Sequence, residues 1–364
     1  NDMQLGDKEE ERIERCFIHE KTNDFPDIGS YEQDLHLIKR YREFLLNAVE
    51  HGFAGKTIVL DGAFGAAHRI APDVFRRAGA SVIAANCVDD GLSINRNCGA
   101  VYPHNLARKV LRYKADMGFA FDGDADRLIA VDEHGDVIDG DMILCALAKY
   151  FDAQGKLPCR TAVGTSHTNM AIEDDLKAHG ISLVRTDIGD KYVLARLLEK
   201  GYSLGGEQSG HIILKDYATT GDGILTAIAL TNMLISENKT LAEGVKIPLY
   251  PQENKNVPVE DKFRVINSEE LSKQVAKYNA ALAGKGRLMI RASGTEPKIR
   301  VMVESKDEAL NREVAAALVA RKSGLLGLGG SVYGSPGSSW RISLSSKSTR
   351  LRASMILPLW ISTR

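Results

Sequence analysis

Apolar residues recur at helical spacing between 34 and 50, at Leu35, Ile38, Tyr41, Leu45 and Val49, which predicts a helix with one buried stripe. Beyond it the pattern shifts to short apolar runs separated by amphipathic stretches. Strands are expected at 57–60, 81–85, 117–121 and 128–132. Helices are expected after the turn 61–65 to about 78, at 105–114, and from 141 onward. The cadence restarts with strands at 161–164, 182–185 and 203–206, interleaved with helices at 169–179, 192–200 and 222–236. Alternation of this kind predicts consecutive α/β domains with mixed, mostly parallel sheets covered by helices.

Pro248, Pro251 and Pro258 punctuate the pattern and read as a linker. A smaller C-terminal α+β domain follows, with a helix at 270–282, strands at 287–291 and 299–304, and a helix from 307. The expected division is therefore 51–155 and 156–250 for the two α/β domains and 256–322 for the last. Residues 1–50 read as the tail of a preceding domain, opening in a polar run of no clear periodicity. After Glu313 no acidic residue occurs, and both tryptophans, Trp340 and Trp360, lie in a Ser-, Gly- and Arg-rich stretch. Residues 323–364 read either as a tail without a fold of its own or as an aberrant gene end.

With 364 residues and 44% hydrophobic content, the chain can bury several cores. Its 47 basic and 48 acidic residues nearly cancel, so no global field favours nucleic acid or an anionic membrane. The apolar runs fall short of a membrane span. Five cysteines, Cys16, Cys87, Cys98, Cys145 and Cys159, form no CxxC pair. The expectation is a cytoplasmic protein acting on a small molecule, with assembly, a homodimer included, left open.

Three loops carry candidate chemistry. Asp122-Gly123-Asp124-Ala125-Asp126-Arg127 lies between two apolar strands, so alternate carboxylates point to one side. Three carboxylates this close repel unless a cation compensates, and an all-oxygen set on a short loop suits Mg²⁺. An EF-hand also opens D-x-D-x-D, with Glu133 at its twelfth position, but its sixth position requires Gly where Arg127 stands. The second loop, Gly205 to His211, offers the pair Gly205-Gly206 and Gly210 for close backbone approach, with Glu207 and Ser209 placed to bind adjacent hydroxyls, against the plainer reading of a polar turn with a capping Ser. The third, Arg291 to Arg300, ends a strand with Ser293, Gly294 and Thr295 between cations, a composition that can cradle phosphate oxygens or form an ordinary β-turn.

Taken together, these loops resemble the α-D-phosphohexomutases, whose metal loop reads DGD[GA]DR, sugar loop GE-x-SG-H and phosphate loop SGTEP followed by R. Among them the chain is most similar to phosphoglucosamine mutases, on the strings GLSINRNCGA, GDKYV, TTGDGILTA, YPQ and RASGTEPKIRVMVE. The resemblance covers roughly residues 5–320. It implies transfer of phosphate between the 6- and 1-positions of glucosamine phosphate, through a bisphosphate and an enzyme phosphoserine. It further implies Mg²⁺ on Asp122, Asp124 and Asp126, and Arg127 orienting the serine phosphate. Glu207, Ser209 and His211 would contact the sugar, and Arg291, Ser293, Gly294, Thr295 and Arg300 the phosphate that is not transferred. The region around Arg185, Asp190 and Lys191 is expected to touch substrate phosphate or to shuttle protons, with no role assigned to each. The TASHNP-like serine loop of the family has no counterpart in these residues, so the chain by itself is expected to lack turnover. Phe64 stands where the family's turn has Asn. A phosphomannomutase or phosphoglucomutase, or an inert sugar-phosphate binder, are the competing readings.

Overall fold

The computed structural model describes residues 7–19, 36–293 and 296–320. The expected tail at 323–364, and Gly294 and Thr295 of the third loop, lie outside the described residues. Two helices precede the first sheet, α1 (Asp7–His19) and α2 (His36–Asn47). The opening polar run thus contains a helix that its weak periodicity did not predict. Its apolar Ile13, Phe17 and Ile18 are exposed, so no buried stripe marks it in sequence.

The first sheet comprises β1 (Thr57–Asp61), β2 (Ser81–Ala85), β3 (Met117–Phe121), β4 (Leu128–Asp132) and the two-residue β5 (Val137–Ile138), with α3 (Ala67–Arg77) and α4 (His104–Tyr113) as crossovers. Its order is β2-β1-β3-β4-β5. β1 runs parallel to β2 and β3, and β4 returns antiparallel. The second sheet follows α5 (Gly140–Ala153). It is built of β6 (Thr161–Thr165), α6 (Met170–Ala178), β7 (Ser182–Thr186), α7 (Asp190–Lys200), β8 (Leu204–Gly206) and β9 (Ile212–Leu214), in strand order β7-β6-β8-β9.

One apolar cluster runs from Leu60 and Phe119 in the first sheet, through Ile143 of α5, to Leu204 and Ile212 in the second. The helix α8 (Gly223–Ser236) contributes Ile228 and Leu230 to it. Separate clusters cover the other faces, under α4 around Val59 and Val131, and under α7 around Val163 and Ile213. Both sheets are therefore buried on both sides, which is why their strands read as continuous apolar runs.

After the short α9 (Leu241–Val245), the third sheet holds β10 (Gln252–Pro258), β11 (Gly286–Ala292) and β12 (Lys298–Ser305) in the order β10-β12-β11. The helices α10 (Lys262–Ile266), α11 (Glu269–Leu282) and α12 (Glu308–Ala320) accompany it. All pairings in it are antiparallel. The expected proline linker is here corrected: 252–258 is an edge strand, and Pro258 closes it at the sheet margin, where a missing N–H is tolerated.

The turn after β1 differs from ordinary backbone. Ala63 and Phe64 both adopt left-handed φ, 52° and 56°. Asp61 accepts the Ala63 N–H at 3.0 Å and the Asn86 side-chain amide at 2.9 Å, pinning the turn. Left-handed φ costs an L-residue about 1–2 kcal/mol, and Asn tolerates it best after Gly. Phe64→Asn should therefore raise the unfolding free energy by about 1 kcal/mol in urea denaturation; an unchanged or lower value would show that the turn carries no such strain.

Candidate active site

The metal loop begins as β3 ends. Asp122 is buried, and its Oδ1 accepts the backbone N–H of Arg127 at 3.2 Å, closing the loop on itself. Ala125, at φ 63°, reverses the chain so that Asp124 and Asp126 return toward Asp122. One oxygen from each of the three carboxylates lies within 4.8 Å of the others. The N-terminus of α8 abuts the loop, with the Gly223 N–H on Ala125 O at 2.9 Å. Strands flank the loop on both sides, which removes the EF-hand alternative, since that motif needs helices.

Burial and the neighbouring carboxylates, Asp126 before Asp124, raise the Asp122 pKa well above the ordinary carboxylate range. For Asp126 burial pulls the same way, but hydrogen bonds from His211 and Asp122 outweigh it and hold the pKa low. Without a cation, the site therefore disfavours charge on both carboxylates at once. The buried Asp126 Oδ1 has no hydrogen-bond partner. A hard dication supplies both missing elements, and the donor set fits Mg²⁺. Arg127 leans over the same group, with Nε 3.6 Å from Asp122 Oδ2 and 3.7 Å from Asp126 Oδ1.

The sugar loop joins β8 to β9 and touches the metal loop directly. The Leu128 N–H donates to Gly210 O at 3.0 Å, and Arg127 and His211 form an antiparallel bridge. Gly210 is required here: its φ is 94°, and a Cβ would lie 2.2 Å from Leu128 O. Gly140, at the start of α5, is equally confined, because a Cβ there would meet Glu207 O at 2.0 Å. The glycines Gly205 and Gly206, expected to admit a ligand, instead sit buried in β8. A Cβ on them would strike Val193 and Ile212 respectively, so their smallness serves packing.

Glu207 is half-buried and accepts the Gly189 N–H on Oε1 at 3.0 Å, while Ser209 is exposed on the loop. His211 departs from its expected role. It is buried, Nδ1 lies 3.0 Å from Asp126 Oδ2, and the Gly221 N–H donates to Nε2 at 3.1 Å. With both ring nitrogens engaged, His211 orients a metal-loop carboxylate and has no nitrogen left for a sugar hydroxyl.

In the third loop, Ser293 is buried and its Oγ accepts the Glu296 N–H at 3.4 Å. Arg291 and Arg300 are cross-strand partners. Burial and then the Arg300 charge make Arg291 less basic than a free arginine, a penalty that a bound anion relieves. Arg300 also lies 3.8 Å from Glu296.

This third sheet is fixed to the second by a buried pair. Glu304 is fully buried and accepts Arg287 Nε at 2.5 Å, the Met170 N–H at 2.9 Å and Gln252 Nε2 at 3.2 Å. Arg287 donates onward to the carbonyls of Ser166 at 2.8 Å and Thr168 at 2.7 Å. Those carbonyls follow β6, which lies beside β8, so this loop and the sugar loop leave the carboxyl ends of neighbouring parallel strands. Ligands in such folds bind at that end. Arg185, expected near substrate phosphate, donates to Thr165 O and Thr168 O and to Glu173, sharing the Thr168 carbonyl with Arg287. Lys191 lies 3.7 Å from Glu10 of α1.

Three family models match in succession. The Phosphoglucomutase/phosphomannomutase alpha/beta/alpha domain II matches residues 39–135, domain III residues 139–250, and the C-terminal domain residues 255–321. The phosphoglucosamine mutase of Caldicellulosiruptor saccharolyticus is 46% identical over 316 residues, 84% of this chain and 70% of that protein. That of Caldanaerobacter subterraneus is 43% identical over 327 residues, 87% of this chain and 73% of the relative. The chain belongs to the phosphoglucosamine mutases.

Solved structures agree on the fold. A phosphoglucomutase/phosphomannomutase family protein from Burkholderia thailandensis superimposes with a TM-score of 0.71 at 23% identity, covering 88% of this chain and 72% of the other. The N-acetylphosphoglucosamine mutase of Aspergillus fumigatus, in complex with GlcNAc-6P and magnesium, gives 0.61 at 20% identity, over 77% of this chain and 69% of that one. Among the described residues, no helix is long and apolar enough to cross a membrane.

Proposed function

We propose that the three loops form one site at which glucosamine 6-phosphate and glucosamine 1-phosphate are interconverted through a bisphosphate, a phosphoserine that none of the three loops carries giving its phosphoryl group to the sugar and taking back the other one. The observation that carries this reading is the direct contact between the carboxylate loop and the Glu207 loop, in a chain whose relatives at 42–46% identity are phosphoglucosamine mutases. Asp122, Asp124 and Asp126 would hold Mg²⁺, which when bound neutralises phosphoryl oxygens. Arg127, leaning over two of these carboxylates, orients the phosphate being transferred.

Glu207, anchored at one oxygen by Gly189, presents the other to the sugar hydroxyls, and Ser209 adds a second hydroxyl contact. Arg291, Ser293 and Arg300 hold the phosphate that stays on the sugar, together with Gly294 and Thr295. The chemistry asks mainly for positioning and charge neutralisation, which such rigid loops supply. Five free cysteines fit work in the cytoplasm.

The same loops would serve mannose and glucose phosphates, so the sugar is the point to test. Calorimetric titration with glucosamine 6-phosphate and mannose 6-phosphate should give the tighter constant for the amino sugar. A clear preference for mannose 6-phosphate would move the chain to the phosphomannomutase reading.

A further inference from the structure

Helices cover only one face of the third sheet. Val257, Ile299, Val301 and Val303 pack beneath them, while alternation turns Arg291, Arg300 and Asn256 to the other face. That open face does not end in solvent. A cavity of about 200 Å³ lies between it and the loop after β6, lined by His167 from the loop and by Arg291, Arg300, Asn254 and Asn256 from the sheet. Arg287 and Glu304 hold the two walls together below it. The loop backbone is fixed as well, because the His167 N–H donates to Thr165 Oγ1 at 3.2 Å.

Two arginines facing each other across paired strands repel, and among the described residues Arg291 pairs with no carboxylate. The cavity is thus electropositive, with Met289, Val301 and Met302 between its polar groups, and large enough for a phosphate group. We infer that His167 is a further phosphate-positioning residue: its imidazole N–H donates to the phosphate held by Arg291 and Arg300, reaching it from the second α/β unit while the arginines reach it from the third. Phosphate then bridges the two units. This rests on the phosphate-loop reading above.

Electrostatics support the arrangement. Burial, and then the charges of Arg291, Arg287 and Arg300, lower the His167 pKa to about 4. Lys255 on β10 also borders the cavity; of the buried carboxylates behind it, Glu304 is engaged by Arg287 and Asp141 accepts the Asn169 N–H at 2.8 Å. The empty pocket therefore keeps the ring neutral, with one N–H to donate. A phosphate dianion beside it offsets the arginine charges, so the ring should become more basic when the anion binds.

The test is calorimetric titration of the whole chain with glucosamine 6-phosphate and, as a minimal probe, inorganic phosphate. His167→Ala should weaken both by about ten-fold, the effect of one hydrogen bond to a charged acceptor, with the thermal midpoint unchanged. His167→Gln, which keeps an N–H donor, should restore most of the affinity. In proton NMR, saturation with inorganic phosphate should move the His167 ring titration upward by at least about one unit. Unchanged affinity in His167→Ala, while Arg291→Ala loses binding, overturns the inference and leaves the phosphate loop standing. Loss of affinity that His167→Gln does not recover, with no movement of the ring titration, also overturns it. If Arg291→Ala binds both ligands as the parent does, the phosphate-loop reading itself falls and this inference with it.

Discussion

Replacing Asp124 by Asn should lower Mg²⁺ affinity by about 100-fold while leaving the metal-free fold intact. Asp124 is the exposed member of the triad, and no described hydrogen bond of the fold depends on its carboxylate. Exposed substitutions of that kind change stability by about 0.5 kcal/mol or less. The effect on the ion is far larger. At coordination distance a unit charge and a dication attract by about 4 kcal/mol even at the dielectric constant of water. The amide oxygen and regained hydration return part of that, leaving a loss near 2.7 kcal/mol, or two decades. Titration calorimetry with Mg²⁺ on both proteins reads the difference. Equal affinities would place the ion elsewhere and remove the metal-loop assignment.

Glu304→Ala should cost about 3–5 kcal/mol of stability, because it leaves the Arg287 guanidinium buried without its counter-charge. The same change frees the Met170 N–H and Gln252 from their acceptor. Two contacts within the third sheet and one to α6 thus fail together. A double variant separates charge from packing. Replacing both Arg287 and Glu304 by Leu removes the uncompensated charge, so stability should return to within about 1–2 kcal/mol of the parent. Sugar-phosphate affinity should not return with it, since the donors to Ser166 O and Thr168 O that fix the walls of the phosphate cavity are gone. Urea unfolding and ligand titration on the single and double variants check both halves. A Glu304→Ala protein as stable as the parent would show that the pair does not tie the third sheet to the second.

The metal loop was legible because its chemistry is local. Three carboxylates in five residues, between apolar strands, state their problem of charge within the string itself. The alternating strands and helices were legible for the same reason, being patterns of neighbours. What the string concealed are the meetings of distant segments. His211 fits a sugar-loop motif, yet both its ring nitrogens are engaged by residues of other loops, Asp126 and Gly221. Arg185 looked free for phosphate, and its carbonyl and carboxylate partners emerge only when β7 lies beside β6.

Gly205 and Gly206 show a further limit. A glycine needed for side-chain packing and one needed for a ligand leave the same letter, and only the neighbours Val193 and Ile212 distinguish them. The prolines at 248–258 hid an edge strand, since a margin of a sheet tolerates what its centre does not. His167 carried one usable signal, its place just after the apolar strand 161–164, at the end where open α/β sheets bind ligands.

The most direct test of a single phosphosugar site is a crystal structure of the protein with glucosamine 6-phosphate and Mg²⁺. The ion is expected on Asp122, Asp124 and Asp126, sugar hydroxyls on Glu207 and Ser209, and the phosphate against Arg291 and Ser293, all in one cleft. A sugar phosphate bound away from Glu207 and Arg291, or an ion held by other residues, would contradict it.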